Sequence, residues 1–295
     1  MSNKASDPRA RLFDAGRTAY YRAMSALPLP ARRRLLYAVK HRRFPRVRDP
    51  RTYTEKINWR ILHDRRDLLV RTCDKLAMKE YAAERAGDLV RIPETYWHGV
   101  DLRELADVEL PSAWVLKPTQ GTMRVIFGAG AADVPDLLRR TAGWLDEFNS
   151  EVLGEWAYSR AERQFLVEEF IGAPGSSPDD YKIFVFDGEP RLVEVHQGRF
   201  TQHVERMYTC DWEPLTVTNR SSLAPVVDRP ETLDRMLAAA AALGAGFDFL
   251  RVDLYNVDGV VWFGETSPYP SSGLAPFSPR SFDRQLGDWW TLPAL

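Results

Sequence analysis

RVDLYNVDGVVWFGETSPYPSS, residues 251–272, is the stretch from which the rest of this chain can be read. Two apolar runs, Phe247–Tyr255 and Val260–Gly264, flank Asn-Val-Asp-Gly, and short runs of Val, Phe, Tyr and Trp broken by Asp-Gly predict a β-hairpin. Asp253 lies inside the first run and Glu265 ends the second. A carboxylate there is costly to desolvate unless it meets a cation. Side chains alternate along a strand, so the turn decides whether the acids meet. A two-residue loop, Asp258-Gly259, sets Asp253 opposite Gly264 and sends Glu265 to the other face. A three-residue loop, Val257-Asp258-Gly259, with Gly259 in a left-handed bulge, sets Asp253 opposite Phe263 and brings Glu265 diagonally beside it. Converging acids of this kind suit Mg²⁺, which completes its shell with water and phosphate oxygens. Without convergence, each acid is simply an exposed hairpin charge.

Other charges stand at strand ends. Lys117 follows Trp114-Val115-Leu116, and Glu168-Glu169 follow Phe165-Leu166-Val167. Strand mouths are common ligand positions in mixed α and β proteins, although surface strands also finish on such residues.

At 295 residues, with 44% hydrophobic and 27% charged residues, the composition is that of a globular protein of two or three lobes. No apolar stretch approaches the roughly 18 residues of a membrane span, and the amino terminus lacks a signal-peptide core, so a cytoplasmic location is expected. Cys73 and Cys210 have no metal-ligand spacing and form no disulfide framework.

The net charge of −1 conceals a segregation. Residues 1–51 carry 14 lysines and arginines against three acids, +11, while the other 244 residues carry 26 bases and 38 acids, −12. A basic arm with Phe13, Tyr20, Tyr21, Leu35, Leu36 and Tyr37 suits contact with a polyanion through residues 1–51. It equally suits packing of the apolar stripe on the acidic body with the arginines in water.

In order, helices are expected at 8–26 and 31–42, around Leu27-Pro28-Leu29-Pro30. A third, capped by Thr52 or Thr54, runs to about Asp64, and a fourth from Arg66 to Ala86 closes at Gly87. Strands are expected at Leu89–Ile92, Thr95–Val100, Ala113–Pro118, Val125–Gly128, Phe165–Phe170, Asp180–Phe186 and Arg191–Gln197. Helical turns at Leu102–Ala106 and helices at Val134–Asn149 and Arg229–Ala242 complete the set.

Asp74-Lys75 on a helix, a strand ending in Lys117, V-E-E-F-I at 167–171, and an R-x-D strand beside a G-E-x strand together resemble the ATP-grasp superfamily. RTYTEKINWR at 51–60, DYKIFVFDGEP at 180–190, RVDLYNVDG at 251–259 and the closing P-F-S-P-x-x-x-D-R-x-L-G-D at 276–288 resemble, more narrowly, the TupA-like ATP-grasp family, named for teichuronopeptide biosynthesis. The resemblance covers about residues 40–288. It implies an α+β fold: two α+β lobes enclosing an ATP cleft, with a helical basic N-terminal extension. The expected division is an arm at 1–50, a helical region at 51–110, a small lobe at 111–170 and a large lobe at 171–295.

Site roles also follow from the resemblance. Lys75 and Lys117 would meet the α- and β-phosphates. Glu168, Glu169, Phe170 and Ile171 form the hinge whose backbone reaches adenine. Asp180 aligns with the ribose-binding acid, and Lys182, on the same strand face, would reach phosphate. Asp253, Glu265 and Ser267 would hold Mg²⁺, and Arg251 would stabilise the transferred phosphoryl group. A hydroxyl at 267 fits the narrower family, where Thr is usual. Gly121 and Thr122 belong to the phosphate-covering loop, where KPTQGTMR at 117–124 stands for the family's K-x-x-H-G-S-G-G. Arg124 there is a candidate to replace lost backbone donors with a side-chain charge. Ser271, Ser272 and Gly273 would bind the substrate carboxylate, with Arg199 and His203 as candidates for the acyl phosphate or acceptor.

The implied activity is an ATP-dependent carboxylate-amine ligase with ATP and Mg²⁺, joining small-molecule or glycan carboxylates to amines through an acyl phosphate. An ATP-grasp-shaped kinase and a non-catalytic nucleotide- or polyanion-binding module remain as alternatives.

Overall fold

The structure, a computed structural model, describes residues 24–120, 124–146, 152–172, 178–198, 202–219 and 222–294. The expected helix at 8–26 lies almost wholly outside these residues.

Helix α1, Leu29–His41, takes Pro30 into its first turn, where a missing N–H costs nothing. Helix α2, Tyr53–His63, starts on a capping box: Thr52 accepts from the Glu55 amide while the Glu55 carboxylate accepts from the Thr52 amide. The helix expected from Arg66 to Ala86 is instead two pieces, a 3₁₀ segment at Asp67–Thr72 and α3 at Lys75–Ala86. Asp74 makes the break, its Oδ1 accepting from the amides of Leu76 (2.9 Å) and Ala77 (3.1 Å).

Four antiparallel strands form a small sheet: β1 Thr95–Gly99, β2 Trp114–Pro118, β3 Ile126–Gly128 and β4 Phe165–Glu169, in the order β1-β4-β2-β3. Trp114, Leu116 and Val167 on one face are buried with the 3₁₀ turn Leu102–Asp107 and helix α4, Val134–Arg140. The helix expected to reach Asn149 thus ends at Arg140. The strand expected at Leu89–Ile92 is reduced to one bridge, Arg91 to Trp262.

The large sheet has six strands, β5 Asp180–Phe186, β6 Glu189–Gln197, β7 Val204–Tyr208, β8 Ser222–Leu223, β9 Phe249–Val257 and β10 Val260–Ser267, in the order β10-β9-β5-β6-β7-β8. Helix α5, Leu233–Gly244, packs on the face of Ile183 and Val185; a Cβ on Gly244 would lie 2.4 Å from Val185, so only glycine permits this approach. The other face is divided. At one end Phe184 and Phe249 pack under Tyr53 and, from the turn after helix α6 (Arg280–Trp289), Trp290. At the other end stand Asp180, Lys182, Asp253 and Glu265. The described residues thus form an α+β protein with two sheets, as expected. Among the described residues no helix is long and apolar enough to cross a membrane.

Helix α1 does not keep all its arginines in water. Arg33 is fully buried and Arg32 nearly so, whereas Arg34, Arg42, Arg46, Arg48 and Arg51 are exposed.

Candidate functional site

The hairpin meets neither sequence alternative. Its loop is the two-residue Asp258-Gly259, both at positive φ (51° and 74°), with Val257 paired to Val260. Yet the register shifts between Phe263 and Glu265, so Glu265 is the direct partner of Asp253. The extra residue is Gly264, a bulge inside the strand rather than at the turn. A Cβ there would lie 2.9 Å from the Asp253 carbonyl oxygen and 3.0 Å from the Tyr255 ring. A two-residue turn was expected to part the acids; the bulge restores them to one face.

Ser267 pairs with Arg251, and Lys182 with Asp253, so register sets all five side chains on that face. Arg251 donates to both Asp253 oxygens, Nε–Oδ1 2.6 Å and Nη2–Oδ2 2.7 Å, and its Nη2 lies 3.6 Å from Glu265 Oε1. Lys182 bridges Asp253 and Asp180, 2.6 Å from the latter. Burial pushes the Asp253 carboxyl up, but Arg251 and then Lys182 outweigh it and hold it far below the usual carboxylate range. For Lys182 burial lowers the pKa, and Asp180 and Asp253 overcome it, leaving the ammonium more firmly protonated than usual.

Across from the hairpin, Lys117 pairs with the buried carboxylate of Glu168, which also receives Lys79 at 3.0 Å. Lys75 opens α3, its amide and ammonium both directed to the Thr119 carbonyl oxygen, 3.2 and 3.3 Å away. Its pKa is pushed down to about 8, first by burial and next by the like charge of Lys117, with Glu265 and Glu168 opposing. Lys75 therefore feels charges from both sheets. Glu169 takes its own contacts, Arg91 at 3.0 Å and the Glu94 amide at 3.1 Å, and Phe170 meets Phe127 edge-on at 5.5 Å. Ile171 follows, half-buried. Gly121, Thr122 and Arg199 lie outside the described residues.

Ser271, Ser272 and Gly273 occupy left-handed backbone in succession, φ 51°, 55° and 60°. Such strain in serine persists only where surroundings enforce it. Arg33 enforces it here, donating to Ser272 Oγ (2.9 Å) and to the Ser272 carbonyl while its Nε reaches Asn58 Oδ1 (3.0 Å). His41 Nε2 lies 3.1 Å from the Gly273 carbonyl oxygen, and a Cβ on Gly273 would lie 2.8 Å from Asn58 Nδ2. Glu155, beside Arg33 and Ser272, is pushed up to about 7 by burial, which Arg33 opposes. A recess of about 20 Å³ lies between this turn and the sheet, lined by Arg251, Glu194, Asn219, Ser271 and Gly273. That is room for one water, so a substrate enters only if the walls move.

Sequence reasoning missed Lys79, Glu155 and Arg33. Lys79 was within reach, one helical turn from Lys75. Arg33 sits in an Arg-Arg-Arg run, which reads as a solvated face until its contacts are seen.

The donor set fits Mg²⁺ in kind: two facing carboxylates and a hydroxyl, all hard oxygens, with the Glu265 side chain 40% exposed. Arg251 and Lys182, which neutralise Asp253, are also groups that bind phosphate oxygens.

The chain matches the family described as TupA-like ATPgrasp over residues 55–291. No curated protein matches it. Among solved structures it is similar to D-alanine–D-alanine ligase from Bacillus anthracis complexed with ATP (16% identity, 75% of this chain and 66% of that one, TM-score 0.42). It is also similar to D-alanine–D-alanine ligase from Helicobacter pylori (15%, 76% and 62%, 0.44). A third is the RimK domain protein ATP-grasp from Sphaerobacter thermophilus (13%, 76% and 69%, 0.41). The chain spans about two thirds or less of the length of the first two.

Proposed function

The chain belongs to the TupA-like ATP-grasp family, and from that premise we propose that it is an ATP-dependent carboxylate-amine ligase. The observation that carries the reading is the direct pairing of Asp253 with Glu265 on one sheet face, flanked by Arg251 and Lys182, with Lys75 and Lys117 across from it.

In this reading the two sheets are the lobes of an ATP cleft. Lys75 and Lys117 hold the α- and β-phosphates, with Lys117 exchanging Glu168 for phosphate. Asp180 meets the ribose, and the backbone of residues 168–171 meets adenine. Asp253, Glu265 and Ser267 would hold Mg²⁺, which when bound would supply positive charge against the phosphate oxygens. The substrate carboxylate lies at Ser271–Gly273. One of its oxygens attacks the γ-phosphorus, the bond to ADP breaks, and an acyl phosphate forms. Arg251, swinging from Asp253, stabilises the charge on the transferred group. The amine nitrogen then attacks the carbonyl carbon, loses a proton and expels phosphate, leaving an amide. The acids proposed are those of sugar acids, surface polymers or natural products, and the amines amino acids or related amines.

ADP release with Mg²⁺, measured across a matrix of carboxylates and amines, tests the reading. Release that requires one acid and one amine together, with an amide product, is the expected result. Release that is independent of amine and leaves a stable phosphorylated alcohol would replace the ligase with a kinase.

A further inference from the structure

Two strands from Asp253, on the same face of the large sheet, a second group of side chains converges. His196 on β6 is the register partner of Asp180 on β5 and of Glu205 on β7. Direct partners share a face, so these three form one row across the sheet. His203 immediately precedes β7, and its Nε2 is 3.0 Å from His196 Nδ1. One ligand atom each from His196, His203 and Glu205 lies within 4.8 Å of the others. Around a tetrahedral ion with bonds of ~2.0 Å such atoms stand roughly 3.3 Å apart. Glu205 Oε2 lies 3.7 Å from His196 Nε2 whereas His203 Nε2 lies 3.0 Å from His196 Nδ1, so Glu205 must turn toward the Nδ1 side for one ion to meet all three.

The surroundings fit as well. His196 Nε2 lies 3.4 Å from Glu194 Oε2, and the other oxygen of Glu194 accepts from Asn219 Nδ2 at 3.1 Å. His196 Nε2 makes no hydrogen bond among the described residues, and Glu194 stands close enough that a ring ligating through Nδ1 would turn its Nε2–H to that carboxylate, which fixes ring orientation and raises basicity. Glu205 is buried, His196 half-buried and His203 exposed. An ion would be held by two strand residues, His196 and Glu205, and by His203 just before β7, and would be reached from solvent on the His203 side.

We propose that His196, His203 and Glu205 form a binding site for a divalent cation of the zinc class, with a fourth position open to water or to a donor atom of the acceptor. Two imidazoles and one carboxylate select such an ion over Mg²⁺, which prefers oxygen alone. The site is separate from the Asp253–Glu265 pair in both place and donor chemistry, and its failure would leave the ligase reading untouched.

Calorimetric titration of the chelator-stripped full chain with Zn²⁺ alone tests it. One equivalent with a dissociation constant of about 1 μM or tighter is expected. Excess Mg²⁺ leaves that value unchanged, and so does Glu265→Gln. His203→Ala, at an exposed position where the fold is kept, weakens binding by at least about tenfold with an unaltered melting temperature. Glu194→Gln, which removes only the support for the ring, weakens it by about 10- to 100-fold. The proposal is overturned if wild type binds only at millimolar Zn²⁺. It is equally overturned if the His196→Ala/His203→Ala double variant binds as wild type does, or if His63→Ala or His98→Ala lowers affinity as much as His203→Ala.

Discussion

Asp253 accepts from Arg251 and Lys182 at once, and each partner also faces a second acid, Glu265 for Arg251 and Asp180 for Lys182. Replacing Asp253 with Asn leaves Arg251 to Glu265 alone and Lys182 to Asp180 alone, so that variant mixes lost chemistry with a rearranged charge network. Glu265 is the cleaner probe because its side chain is 40% exposed. Lys75 has a pH signature of its own. Its folded pKa of about 8 lies below the ordinary 10.5, so it is a cation below pH 8 and becomes neutral above it. The attraction for phosphate is therefore full below about 8 and is lost as pH rises, while this group's effect on stability runs the other way, improving from about 8 to 10.5. Mg·ATP dissociation constants measured from pH 6.5 to 9.5 should rise above about pH 8 in wild type and stay flat in Lys75→Ala. The same upward limb in Lys75→Ala would remove Lys75 from the phosphate site.

At the scale of the element, the hairpin shows what a sequence can and cannot disclose. Alternating Val, Phe and Trp around Asp-Gly disclosed two strands and a tight turn, both present. The bulge was hidden because glycine at 264 carries no pattern; it is chosen by the approach of the Asp253 carbonyl, a contact between strands. Gly264→Ala should force the bulge out, cost about 1–3 kcal/mol by overpacking and reduce ADP release sharply. Undiminished turnover in that variant would mean that the bulge is not what aligns the acids. Helix α1 carries a parallel lesson. Its arginine run reads as a solvated arm, yet Arg33 reaches across to hold the Ser271–Gly273 turn. Arg33→Met should raise the KM for the carboxylate by about tenfold or more through misplacement, with the ATP dissociation constant within about twofold of wild type. An equal loss for both ligands would make Arg33 a support of the fold alone.

In the whole molecule, a buried network ties the helices to the large sheet: Arg60 and Arg66 both bond Asp248, Arg66 also binds Asp64, and the Trp290 indole donates to Asp248 at 2.7 Å. The family match begins at residue 55, inside α2, so Arg33 and His41 shape the serine turn from outside it. Helix and strand periodicity made most elements legible. The break at Asp74 and the single bridge at Arg91 were not, because a cap competing with helix continuation and a one-residue pairing leave little periodic trace. The quickest trial of the shared ion is a calorimetric titration of ATP with and without Mg²⁺, in wild type and in Glu265→Gln. Mg²⁺ should tighten ATP binding to wild type by at least about tenfold, about 1.4 kcal/mol, and give no gain in the variant. An equal gain in both proteins would contradict the pairing of Asp253 and Glu265 around one cation.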